Sequence, residues 1–153
     1  MTLLLVFLIG VLTGLRSLTP PAATAWAAQF GWLKLPRFFS WLGTIPAVAI
    51  FTVLALVELI SDKLPKTPSR TEPMGLIARI IMGAFAGACV ATGAGQGAVL
   101  GGLLGAAGAV AGTFAGYRAR TQLVKALGTP DFVVALLEDL VAVGGSLYLV
   151  SRF

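Results

Sequence analysis

At 153 residues, with 58% hydrophobic and 11% charged side chains, the chain lies far from soluble composition, where about a quarter of residues are charged. It is also too short to hide that much apolar surface in one core. The net charge of +5 sits in short stretches between apolar runs, the distribution of loop charges that orient a membrane protein rather than a nucleic-acid footprint.

The composition narrows the chemistry further. There is no histidine, which removes Ser-His-Asp and Cys-His catalysis, haem ligation and most zinc sites. Cys89 is the single cysteine and reads as a small packing residue. The expectation is one integral membrane domain over 1–153, all-α, with no enzymatic activity, no cofactor and no metal.

Taken in chain order, the apolar runs predict about five transmembrane helices, at roughly 20 residues per crossing. The first runs from Thr2 to about Arg16. Ala25-Trp26-Ala27 resembles a signal-peptide cleavage site. No positive region precedes the apolar run, however, so the N-terminus is expected to stay as the first span. Pro20-Pro21 then interrupts the chain. The stretch after it, near residues 20–37, is apolar for only about a dozen residues, which suits a re-entrant or interfacial piece. Lys34, Arg37 and Trp41 follow it as an interface belt.

The second span is predicted from about Thr44 to Asp62, the third from Gly75 to about Thr92, the fourth from Gln96 to Tyr117 and the fifth from Asp131 to Val150. Between Ile80 and Tyr117 there is no charge. As one helix that stretch would be about 57 Å long, nearly twice the hydrocarbon thickness, so it must turn at Gly93-Ala94-Gly95-Gln96-Gly97. Residues 61–73 form the one polar run, expected as an extended connecting loop whose basic residues suit anionic head groups. If residues 20–37 do not cross, Lys63, Lys66, Arg70, Arg118, Arg120 and Lys125 share the side of the N-terminus. That bias favours a cytoplasmic N-terminus.

Two parts of the chain share an ordered set of features. Gly10-x-x-x-Gly14-Leu15-Arg16, Leu42-Gly43-Thr44-Ile45-Pro46 and Ala55-Leu56-Val57-Glu58 are matched by Gly112-x-x-x-Gly116-Tyr117-Arg118, Leu127-Gly128-Thr129-Pro130 and Ala135-Leu136-Leu137-Glu138. A capping hydroxyl followed by proline starts both glutamate helices. The order suggests a degenerate inverted repeat, with copies at about 2–62 and 96–150 and a linking helix at 75–92, as in many transporters. Chance similarity between two capped membrane helices is the alternative.

Gly97, Gly101, Gly105, Gly108, Gly112 and Gly116 step by four or three along one face, and Gly83 and Gly87 repeat the pattern. Such stripes are packing seams, and they predict a homo-oligomer through glycine-rich faces. The ionisable residues are the candidate site: Arg16, Glu58, Asp62, Arg79, Arg118, Glu138 and Asp139. Buried in a membrane they face the bundle interior and pair. One reading is a polar pathway or anion or proton site lined by Arg16, Glu58, Arg118 and Glu138. The other is a set of structural ion pairs with snorkelling arginines. Asp62, Asp131, Glu138 and Asp139 are oxygen ligands of the kind Mg²⁺ takes, but in no metal-binding spacing.

The stretches GLRSLTPPAATAWAA, ELISDKLPKTPSRTEP and GYRARTQLVKALGTPDFVVALLEDLVAVGGSLYLVSR together resemble a bacterial family of small integral membrane proteins, domain of unknown function 4126. The resemblance covers nearly the whole chain, and its Arg-Ser-Leu-Thr-Pro, Asp-Lys-x-Pro and Glu-Asp segments are the most specific. It implies a membrane location and transfers no activity. The expected setting is the bacterial cytoplasmic membrane. The expected role is transport or channel activity for a small solute, ion or lipid-linked anion, with a non-catalytic scaffold or assembly factor as the alternative. Nucleic acid is not an expected partner.

Overall fold

The computed structural model describes residues 1–64 and 69–153. Its apolar runs form six helices: α1 (Thr2–Leu15), α2 (Thr19–Gln29), α3 (Ile45–Ser61), α4 (Pro73–Gly93), α5 (Ala98–Leu127) and α6 (Asp131–Val150), with a single 3₁₀ turn at Ser40–Gly43. No strand occurs among the described residues. Of the polar run at 61–73, residues 65–68 lie outside them, Lys66 included.

Three helices, α4, α5 and α6, are long and apolar enough to cross a membrane, which marks the chain as an integral membrane protein. The expected five spans are not reached by this measure. The 14 residues of α1 and 17 of α3 give about 21 and 26 Å of helix, against roughly 30 Å of hydrocarbon. The outer surface is nonetheless apolar: Ile50, Val53 and Val57 of α3 and Leu136 and Leu140 of α6 are all exposed. In water such a face would drive aggregation; against lipid it is the ordinary exterior.

The prolines start helices instead of breaking them. Pro20 and Pro21 open α2, Pro46 lies in the first turn of α3 and Pro73 opens α4, positions where the missing N–H has no intrahelical partner to lose. The expected threonine caps are absent. Thr44 Oγ1 donates to the Trp41 carbonyl at 2.7 Å, Pro130 precedes α6, and the buried Thr129 hydroxyl has no partner among the described residues. The turn expected after α4 is present, with Gly95 at φ +75, a left-handed conformation that glycine adopts without steric cost.

Glycine contacts set the helix directions. A Cβ at Gly10 would land on the Gly105 carbonyl, and one at Gly14 on the backbone of Ala109, Gly112 and Thr113. The residue numbers rise together, so α1 and α5 are parallel. Gly83 faces Gly105 and Ala109, whereas Gly87 faces Gly101, so α4 and α5 are antiparallel. Leu12 lies by Gly145 and Arg16 by Asp139, making α6 antiparallel to α1. Leu18 meets Glu58 and Trp26 meets Thr52, making α2 antiparallel to α3.

These directions correct two expectations. Residues 20–37 are neither re-entrant nor confined to one level. They begin beside Glu58 and carry the chain to the opposite end, where Leu33 packs on Gly93. That additional traverse reverses everything after it. Copies at 2–62 and 96–150 would need α1 and α5 to run in opposite directions to be inverted, and they run the same way.

The glycine stripe of α5 is also taken up inside the chain, between α1 and α4. A homo-oligomer would have to use other faces. Val6, Ile9, Leu33, Val90 and Val150 form the core at the end holding the N-terminus. Gly105→Val would drive a branched side chain into the Gly83 backbone. It should cost about 2–3 kcal/mol or more by overpacking, read as thermal unfolding in detergent. Gly144, where a Cβ meets open space, should accept alanine with no loss of stability.

Candidate functional site

Every acidic residue of the chain gathers at the other end, where α3 and α5 finish and α4 and α6 begin. Arg16 is the centre. It follows α1 as its C-cap with an extended backbone, and its side chain is 0% exposed. In lipid such a charge is costly unless carboxylates meet it. Arg16 Nε donates to Asp139 Oδ1 at 2.6 Å, Nη1 pairs with Asp62, and Nη2 lies 3.9 Å from Glu138. One guanidinium thereby ties α1 to the end of α3 and to α6.

Other cations close the remaining carboxylate positions. Lys63 Nζ pairs with Asp139 and donates to the Leu59 carbonyl at 2.7 Å. Arg70 grips Glu138 through both nitrogens, one of them at 2.7 Å, the two-pronged geometry that makes arginine–carboxylate pairs strong. Arg120 forks onto Asp131 at 2.8 and 2.5 Å and reaches Glu138 at 3.4 Å. Asp62, Asp131, Glu138 and Asp139 are therefore each engaged by a cation, which takes away the oxygens Mg²⁺ would need. Among the described residues no group of three His, Cys, Asp or Glu is placed to hold a metal.

Glu58 does something different. Its carboxylate accepts from the Ser17 N–H at 2.6 Å, the Ser17 hydroxyl at 2.5 Å and the Leu18 N–H at 2.8 Å. No side chain of its own caps α2, so a glutamate of α3 supplies the acceptor that the helix start needs. A negative group there also complements the helix dipole.

Six of the seven candidates thus converge, and Arg118 does not. It is exposed and forms no ion pair among the described residues. Arg120 takes the place expected of it. Two residues on a helix turn about 200°, so residues 118 and 120 face nearly opposite ways. The signal was present in the stripe, because Gly112, Gly116 and position 120 step by four. Ser17, Lys63, Arg70 and Asp131 were not singled out as site residues, since three lie at helix ends or in loops where charge is ordinary.

Beside this network lies a pocket of about 620 Å³, lined by Lys63, Arg70, Arg79, Arg120 and Lys125 against Asp62 and Asp131. α5 has 30 residues, about 45 Å of helix, so roughly 15 Å exceeds the hydrocarbon core. The pocket uses that end, from Tyr117 to Lys125. Arg16 and Glu58 do not line it. Arg79 does, and it is 6% exposed, with Nη1 donating to the Gly75 carbonyl at 3.1 Å and Nε unpartnered. A second depression, of about 410 Å³ and apolar, runs along Ala23, Trp26, Leu56 and Leu59.

The family model described as a domain of unknown function (DUF4126) matches residues 3–151, and the chain belongs to that family. No curated protein and no solved structure matches it. Removing one partner of a buried ion pair costs about 3–5 kcal/mol. Asp139→Asn, which strips both Arg16 and Lys63 of a carboxylate, should therefore lower thermal stability in detergent sharply. Arg118→Gln should leave it unchanged.

Proposed function

We propose that the chain is a membrane transporter or channel for a small anionic solute or a lipid-linked anion, loading through the basic pocket. The observation that carries this reading is the pocket itself, an open cavity lined by five cations and two carboxylates at the end of the bundle. It adjoins ion pairs that join separate helices, and exchanging such pairs is one way for a bundle to change shape. In this reading the lining cations of the pocket, rather than Arg16, Glu58 and Arg118, carry the function.

A second reading, a non-catalytic scaffold or assembly factor, draws on a specific observation as well. Arg16 is wholly enclosed by Asp62 and Asp139, as a structural clamp would be. The two readings separate in reconstituted vesicles. Transport predicts that the chain speeds uptake of at least one of chloride, phosphate, a short carboxylate or a fluorescent anionic lipid over protein-free vesicles. If none moves faster and one stable protein partner co-purifies, the scaffold reading takes its place.

The same reading carries an orientation. Arg16, Lys63, Arg70, Arg79, Arg118, Arg120 and Lys125 lie at the pocket end, against Lys34, Arg37 and Arg152 at the end that holds the N-terminus. Positive residues favour the cytoplasm, so the pocket opens inward and the N-terminus lies outside, the reverse of the orientation expected from sequence. Cys89 is buried and gives little background to thiol labelling. With an impermeant reagent on intact cells, Ser40→Cys should label and Arg118→Cys should not. The opposite pattern would reverse the orientation.

A further inference from the structure

We infer that the basic pocket binds a phosphate group, held by Arg79 and Lys125; this deepens the anion-loading reading and rests on it. Each other cation in the pocket already has a carboxylate: Lys63 has Asp139, Arg70 has Glu138, and Arg120 has Asp131. Arg79 has none within ion-pair distance among the described residues. Glu58 and Asp62 reach it only through their field. Its Nε is buried and unpartnered, and its one hydrogen bond goes to a backbone carbonyl.

An enclosed guanidinium without an anion is expensive, and here it faces a cavity. Lys125 lines the same cavity from α5, exposed and without an ion pair among the described residues. Two unmatched cations suit an anion of charge about two. A phosphate monoester has that charge, and its oxygens match the forked donors of arginine and the point charge of lysine. A cavity of about 620 Å³ falls within the roughly 300–1,000 Å³ of small-molecule sites. It has room for the organic part of a phosphate ester. That ester is either a soluble phosphorylated solute or the head group of a phosphatidate-type lipid, and both present the same chemistry.

The test is binding to the full chain, with no flux involved. Inorganic phosphate and glycerol 3-phosphate are titrated calorimetrically into the detergent-purified protein, with chloride as control. Nanodiscs of phosphatidylcholine, with and without phosphatidic acid, supply the lipid arm by native mass spectrometry.

The wild type should bind at least one phosphate probe and not chloride. Affinity should fall at least tenfold in Arg79→Gln and severalfold in Lys125→Gln. Without phosphate, Arg79→Gln should be no less thermostable than the wild type, because the lost charge had no partner. A purely structural arginine would give the opposite sign. Lys125 is exposed, so its variant keeps the test valid if the other fails to fold. Binding of the soluble probes alone assigns a soluble ligand, and binding of phosphatidic acid alone assigns a head group. No response to any phosphate probe, or binding undiminished in both variants, overturns the site. Phosphate binding with no transport of any anion leaves the site standing and removes the transporter; anion transport without phosphate binding does the reverse.

Discussion

Arg16 is a full positive charge with no exposed surface, and the charged end of the bundle is arranged around it. In lipid, helices gain little by hiding apolar side chains from one another, because the acyl chains are equally apolar. Association has to come from close backbone packing and from polar groups that find no partner elsewhere. Arg16 is held by Asp62 from the end of α3 and Asp139 from α6, helices that share few glycine contacts with α1. Without that guanidinium, Asp62 would lose its ion pair and Asp139 would keep only Lys63. The pair is better understood as a fixed point of assembly than as a gain in stability, since burying both charges offsets much of their attraction.

Glycines decide where that fixed point falls. Gly10 and Gly14 let α1 lie against Gly105, Ala109 and Gly112 at backbone contact, and this contact holds α1 parallel to α5. Arg16, just past the end of α1, is thereby brought level with Gly116. There the absence of a side chain leaves room for Leu15, Arg70 and the Glu138 carboxylate. Parallel packing and ion pairing are thus one constraint. A helix reversed in direction would carry Arg16 to the end that holds Lys34, Arg37 and Arg152 and no acidic side chain.

The sequence made the helices legible because apolar runs, prolines and glycines bound them. The ends of α1, α3, α4 and α6 fall within about two residues of expectation, inside ordinary boundary scatter. α5 runs ten residues past its expected end at Tyr117. Charge at 118, 120 and 125 ended the apolar signal without ending the helix, which stops only at Gly128 with φ +59. That Arg16, Asp62, Glu138 and Asp139 meet was legible from the cost of isolated charge in lipid. Direction was not. It hinged on whether residues 20–37 traverse the bundle, and an 11-residue helix followed by irregular chain carries no signal of crossing. The inverted repeat and the place expected for Arg118 both depended on that traverse, and the parallel course of α1 and α5 does not confirm the repeat.

The closed network also determines what the pocket presents. A carboxylate bound to a guanidinium acts at a distance as a dipole, and its field fades faster than that of a lone charge. Glu58, although it has no cation, is spent on the amides at the start of α2. Once Asp62, Asp131, Glu138 and Asp139 are matched to Arg16, Arg120, Arg70 and Lys63, Arg79 and Lys125 are the lining cations left without an ion pair among the described residues. Lys125 is exposed and screened by salt over about 8–10 Å. Arg79 lines the cavity and is 6% exposed, so its charge is screened less. An electrically saturated network and an unsatisfied arginine beside it are therefore complementary: the first silences its own charges, and the second gives the cavity its sign.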